Sequence, residues 1–274
     1  EKIVSIKGIL HSSKNKNNFN ILVPHTIKYL DQHEVISNKF FINLDISDLS
    51  RAFLKAFVFG IKDELDTSHK RIFINSGTMH LFAVSGLHVG CLFIAIFSIC
   101  KILGSTHNFS MIVTMVILLG YLYLVNFSVS STRAYIMLCI WVLCKLLGLR
   151  VNKINVVAIA GLCMLLYDSG NFLDIGFILS ITVVLSIVWF VQTTDEKNKK
   201  GNRLIESMIK MAQVNYSAFW GSFLILAKYF GLIVPVSLLS NLLIVPIVSI
   251  MMPFCIFTIC ILNTVNLSFV AYSL

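Results

Sequence analysis

Charge is what this 274-residue chain has least of. Only 13% of its residues are charged, against 57% hydrophobic, where a soluble domain carries about 25% charged residues. A chain this apolar, with a mean hydropathy of +0.85, has too little polar surface to cover a water-facing globule. Proline is also scarce, at four residues, so long helices are permitted over most of the length. The phosphate-cradling GxxxxGK[ST] loop is missing, which argues against ATP hydrolysis by this chain. HExxH and HxHxDH are missing as well, which removes the familiar zinc-hydrolase signatures. None of the seven cysteines (91, 100, 139, 144, 163, 255 and 260) forms a CxxC pair, and all lie in apolar segments. They read as small buried hydrophobes, with no disulfide, metal site or cofactor expected.

What is present is a series of apolar runs. Spans are expected at 79–103, 109–127, 134–149, 154–167, 172–192, 214–230 and 232–262, about seven in all. The runs at 134–149 and 154–167 are short, fitting either shielded helices or a re-entrant pair. The last run contains Pro235, Pro246 and Pro253, so a kinked or broken helix is expected there. Ahead of the spans, residues 48–61 repeat apolar side chains at helical spacing around Arg51 and Lys55, the pattern of an interfacial amphipathic helix. Lys2–Leu10 and Asn18–Val23 alternate in a β-type pattern around a polar turn. The expected fold is therefore an all-α polytopic membrane protein, residues 49–274, preceded by a short β-type segment, residues 1–48. The start at Glu1 and the apolar end predict a piece of a longer protein, and no cleavable signal peptide is visible at the start.

Charge orients the spans. With seven of them, Lys101, Arg150, Lys153 and the basic island Lys197, Lys199, Lys200, Arg203 and Lys210 share one side. Positive-inside bias puts the 193–213 loop in the cytoplasm and the N-terminal segment outside. The excess of nine positive charges suits membrane lipids or nucleic acid as partners.

The stretch most able to carry chemistry is Ser76-Gly77-Thr78-Met79-His80-Leu81-Phe82-Ala83-Val84-Ser85-Gly86-Leu87-His88-Val89-Gly90. On a continuous helix Ala83, Gly86 and Gly90 would form one small-residue stripe for close packing. His80 and His88 would lie about 80° apart around that helix and roughly 12 Å apart along its axis. Polar groups in hydrocarbon belong in the bundle interior, either as interhelical hydrogen-bond donors or along a water-filled path. Ser85 with Gly86 and Gly90 is also similar to the Ser-Gly-xxx-Gly of rhomboid-type intramembrane proteases. That chemistry needs a histidine base on another helix, and no histidine follows His107. Arg133 opens a span beside Ser130, Ser131 and Thr132, where it can snorkel to the interface or meet phosphates. Asp174, two residues before Gly176, suits a helix N-cap, with Arg133 or a histidine as a candidate partner.

Ser76, Gly77, His80, Leu81, Ala83, Ser85, Gly86, Leu87 and His88 fit the pattern S-G-x-x-H-L-x-A-x-S-G-L-H. This run resembles the signature of the ComEC competence-channel family, whose members internalise DNA during natural transformation. Three further stretches follow in that family's order. They are Tyr121 with Ser130, Arg133, Ala134 and Met137; Asp174-x-Gly176-Phe177-x-Leu179-Ser180; and Asn241-Leu242 before Pro246. Asn126, Val129, Ser169 and Ile178 stand where the family favours Gly, Pro, Pro and Gln. The resemblance implies an inner-membrane channel, not an enzyme, passing single-stranded DNA along His80, Ser85, Gly86, His88, Arg133, Asp174, Ser180 and Asn241. Phe82 or Tyr121 could then stack on bases. It further implies DNA-receptor and pilus machinery outside, a cytosolic ATP-driven partner, and an open possibility of homo-oligomers. The alternatives are an intramembrane hydrolase using Ser85, a small-solute transporter using His80, His88 or Asp174, and a degenerate homologue.

Overall fold

In a computed structural model of the chain, the described residues are 4–11, 21–29, 46–195, 203–231 and 234–272. Strands β1 (Val4–His11) and β2 (Ile21–Tyr29) pair antiparallel, with an irregularity between Lys7 and Gly8. The turn between them lies outside the described residues, as do the lysines of the basic island at 197–200. Every other regular element among the described residues is helical.

Helix α1 (Asp48–Phe59) begins where the Ser47 hydroxyl accepts the Ser50 N–H at 3.3 Å. It ends at Gly60, whose left-handed backbone (φ +76°) lets its N–H reach the Ala56 carbonyl. Asp66 caps α2 (Thr67–Asn75) through the Thr67 N–H. A 3₁₀ turn at Met79–Phe82 follows, then α3 (Gly86–Ile102), α4 (His107–Leu124), α5 (Val129–Leu146) and α6 (Lys153–Tyr167). A second 3₁₀ turn at Ser169–Leu173 leads into α7 (Ile175–Asp195), α8 (Arg203–Phe230) and α9 (Ser237–Tyr272).

Helix α3 sits at the centre and packs on α4, α5 and α9. Its Val89, Leu92, Phe93 and Ile96 interleave with Met111, Met115, Leu118 and Leu122 of α4 and with Met252 of α9. A second apolar cluster joins Ala160 and Met164 of α6 to Phe177 of α7. Helices α7 and α8 form a hairpin. A side chain at Gly221 would stand 2.8 Å from the Ser186 Cβ, and the Ser186 hydroxyl donates to the Ser217 carbonyl at 2.8 Å. Large apolar side chains such as Ile94, Val116, Leu143, Leu224 and Ile250 point outward. In water such a shell would be costly, and in a bilayer it is the lipid contact.

By length and composition, four segments among the described residues are able to cross a membrane: His107–Leu124, Val129–Leu146, Ile175–Gln192 and Ser237–Leu262. Gly86–Ile102 and Lys153–Tyr167 are apolar but shorter. The chain is a helical membrane protein.

Three expectations need correction. The run 79–103 is not one helix, because the 3₁₀ turn ends at Phe82 and Ala83–Ser85 are non-helical before α3 starts at Gly86. Ser85 and Gly86 explain the break, since serine favours the N-cap and glycine weakens a helix interior. The Ala83–Gly86–Gly90 stripe and the 80°, 12 Å relation of His80 to His88 on one helix therefore do not exist. Of the kinked or broken helix expected for the last run, the break is not found. Pro235 lies in the turn before α9, while Pro246 and Pro253 are held inside one continuous helix. Finally, Arg203 and Lys210 lie on α8, so the expected 193–213 loop is in part helix.

Candidate functional site

Motifs far apart along the chain come together around the starts of α3, α5 and α7 and the ends of α1 and α4, and the start of α9 meets the turn at Gly77. At the start of α3 the His88 Nδ1 takes hydrogen bonds from its own helix cap. The Ser85 N–H donates to it at 3.3 Å, and the Ser85 hydroxyl lies 2.9 Å away. This is a capping box with histidine in the place usually held by Glu or Gln. His88 is only 1% exposed, and its ring meets Phe57 of α1 edge-on at 5.7 Å. His80 is separate: it is exposed, and its Nδ1 sits 2.9 Å from the Gly77 carbonyl.

The neighbouring elements close around this point. The buried Tyr121 hydroxyl of α4 donates to the Val58 carbonyl of α1 at 3.0 Å. Gly86 approaches the Ala134 side chain of α5, with 3.4 Å left for a Cβ. Gly77, in a left-handed conformation (φ +70°), lies so near the first residue of α9 that a Cβ would stand 2.6 Å from that of Ser237. Gly90, by contrast, has nothing within 4 Å of where its Cβ would be, so the close approach expected of it is not made.

Arg133 is turned inward and 8% exposed. Its Nη1 lies 3.6 Å from an Asp174 carboxylate oxygen. The same carboxylate accepts the Gly176 N–H at 3.2 Å and the Phe177 N–H at 3.0 Å. Asp174 is thus both the N-cap of α7 and the counter-ion of Arg133. The α-carbon of Gly176 leaves room for the pair, since a Cβ there would press on the Asp174 carboxylate at 3.3 Å. Ser180 is half-buried two turns into α7. Asn241, one turn into α9, has a buried side-chain oxygen with no partner among the described residues.

Some features here were not legible in the sequence. Lys55 of the amphipathic helix is buried, its ammonium 2.6 Å from Glu64. The ordering of the α1–α2 segment by that pair has no sequence signature. The contact between Gly77 and Ser237 joins residues 160 positions apart and has no signature in the sequence.

Residues 57–274 match the family described as Competence protein. The chain belongs to this family of competence proteins. It is 28% identical over 228 residues to "ComE operon protein 3" of Bacillus subtilis (strain 168), covering 81% of this chain and 28% of that protein. It is also 28% identical over 200 residues to an uncharacterized protein of Aquifex aeolicus (strain VF5), covering 72% of this chain and 45% of the relative. The chain therefore spans less than half the length of these relatives. No solved structure matches it. This chain is a ComEC-type competence protein.

Two of the departures from the family pattern have a local structural fit. Asn126, in place of Gly, has φ +53°, a left-handed conformation that asparagine adopts more readily than most residues. Val129, in place of Pro, is the first residue of α5, where a missing N–H would cost nothing. Ser169 opens the second 3₁₀ turn and Ile178 is half-buried early in α7.

Proposed function

We propose that this protein is the membrane channel part of a DNA-uptake machine, passing single-stranded DNA across the cytoplasmic membrane with no covalent chemistry on the strand. One observation carries the reading: Ser85 with His88, Arg133 and Asp174 come from three separate motifs and are joined by the approach of Gly86 to Ala134 and by the Arg133–Asp174 pair. Three polar motifs converging on one region fit a shared path.

The topology we propose has seven spans: the six apolar helices and the latter part of α8. The end bearing Lys101, Lys145, Arg150 and Lys153 then faces the cytoplasm, and the motif end and the β segment face outside. Uptake in this direction needs a receptor and pilus system to deliver DNA and a cytosolic ATP-driven partner to pull it, with a second copy of the chain as a further candidate partner. Backbone contacts and stacking tolerate any sequence, so uptake should show no sequence preference.

The experiment follows fluorescent DNA in cells deleted for the full-length gene. They are complemented with wild type, His88→Ala or Arg133→Ala at matched membrane levels. Wild type restores cytoplasmic signal while the variants leave DNA stalled outside the membrane. Unimpaired uptake in the deletion strain overturns the proposal.

A second reading, an intramembrane hydrolase, draws on the 2.9 Å contact between the Ser85 hydroxyl and His88. A Ser–His pair at this distance is the geometry of an activated nucleophile. Here, though, the ring is buried and its Nδ1 also accepts the Ser85 N–H. Ser85→Asn separates the two readings, because asparagine caps a helix but cannot serve as the nucleophile. The channel reading expects DNA uptake to persist in this variant, and the hydrolase reading expects activity to vanish.

A further inference from the structure

Beside the motif end lies a cleft of about 390 Å³, within the roughly 300–1,000 Å³ typical of ligand sites. Its polar wall consists of Lys62 from the loop after α1, Asn126 from the α4–α5 turn, and Ser128 and Ser130 at the start of α5. Gly60 and Ala83 complete this lining.

Lys62 is the one charged residue in this lining, and among the described residues it forms no ion pair. The acids of the same loop include Glu64, which is committed to Lys55 at 2.6 Å, and Asp66, which caps α2. Asp63 is exposed. Lys70 adds positive charge from α2: partial burial first, and then repulsion from Lys70, lower the pKa of the Lys62 ammonium. His80 of the motif lies within Coulombic reach of Lys62 as well. A half-buried cation beside a second cation and three neutral hydrogen-bonding side chains is a setting that an anion would relieve.

The cleft's apolar lining distinguishes among anions. Phe59, Val84 and Val125 touch it but are themselves 3–4% exposed. They offer no open trough for an acyl chain, which a lipid headgroup would bring with it. A phosphodiester on an extended strand needs only charge and donors.

We propose that this cleft is a phosphodiester-docking site at the mouth of the strand path, with Lys62 as its cation and Asn126, Ser128 and Ser130 as neutral partners. The proposal rests on the strand-passage reading above and locates where the strand first meets the membrane protein. Lys62 then acts by binding the backbone of the substrate, with no base read.

The test uses the full-length protein in phosphatidylcholine nanodiscs and a fluorescein-labelled oligothymidylate, with anisotropy followed across 50–200 mM salt. Each phosphate neutralised on a single strand contributes about 0.7 to the slope of log K against log salt. Lys62→Gln should flatten that slope by about 0.7 and weaken binding, and Lys62→Arg should restore both. A misfolded variant would lose binding amplitude, whereas loss of one contact lowers the slope. An unchanged slope in Lys62→Gln overturns the docking site, and the channel reading survives if His88→Ala still blocks uptake in cells. Wild type that binds no oligothymidylate overturns the docking site and counts against the channel as well. A cleft that instead retains phosphatidylglycerol in a Lys62-dependent way, with no effect on oligothymidylate, overturns it in favour of a lipid site.

Discussion

Gly77→Ala tests the packing of the motif end with a cost that can be worked out from geometry. Gly77 has φ +70°, and the new methyl group would stand 2.6 Å from the Ser237 Cβ, with the Ser237 Cα and a Val234 methyl both at 3.5 Å. The left-handed conformation costs a residue with a Cβ about 1–2 kcal/mol. Forcing an extra carbon into a filled space costs a further 1–3 kcal/mol or so. The sum, roughly 2–5 kcal/mol, corresponds to a fall on the order of 10 °C in the unfolding midpoint of a chain this size. The two contributions separate in a double variant. Ser237→Gly removes the atom in conflict but not the backbone strain, so it should recover the overpacking share and leave about 1–2 kcal/mol. Thermal unfolding of the purified full-length protein in one detergent, across wild type, both single variants and the double, supplies the cycle. A Gly77→Ala midpoint equal to wild type, or a double variant no better than Gly77→Ala, would refute the placement of α9 against the motif.

Other consequences follow from the same end of the bundle. Asp174→Asn keeps an oxygen for the cap of α7 but loses the charge facing Arg133, whereas Asp174→Ala loses both. The alanine variant should therefore be the less stable, by about 1 kcal/mol for the cap, in the same unfolding assay. Tyr121→Phe deletes the buried hydrogen bond to Val58 and should cost about 0.5–1.5 kcal/mol, an amount that chemical denaturation of the reconstituted protein resolves. Asn126→Gly should be neutral or stabilising, while Asn126→Val, β-branched at φ +53°, should lower the unfolding midpoint.

Hydropathy made the helical membrane class and most of the helix positions legible, because each apolar run is long and unmixed. The exceptions have physical causes. Apolar periodicity carried straight through Ala83–Ser85, and it is the capping preference of Ser85, not hydropathy, that stops the helix there. Prolines 246 and 253 pointed to a kinked or broken helix, and α9 continues unbroken through both, because packing on neighbouring helices tolerates the lost hydrogen bonds. Asp174 was readable as a cap from its spacing to Gly176. Its pairing with Arg133 had two candidate partners in sequence, and only three-dimensional proximity selects one. Lys55 read as an interfacial cation, although Glu64, nine residues on, lets it sit buried.

The central claim is that the strand passes the end of the bundle where the motifs gather. A photocrosslinking amino acid placed at Ala83, in the motif, or at Ile94, 66% exposed on the outer face of α3, tests it in competent cells taking up labelled DNA. The account predicts DNA adducts from position 83 and none from position 94. Adducts from neither position, or equally from both, would contradict it.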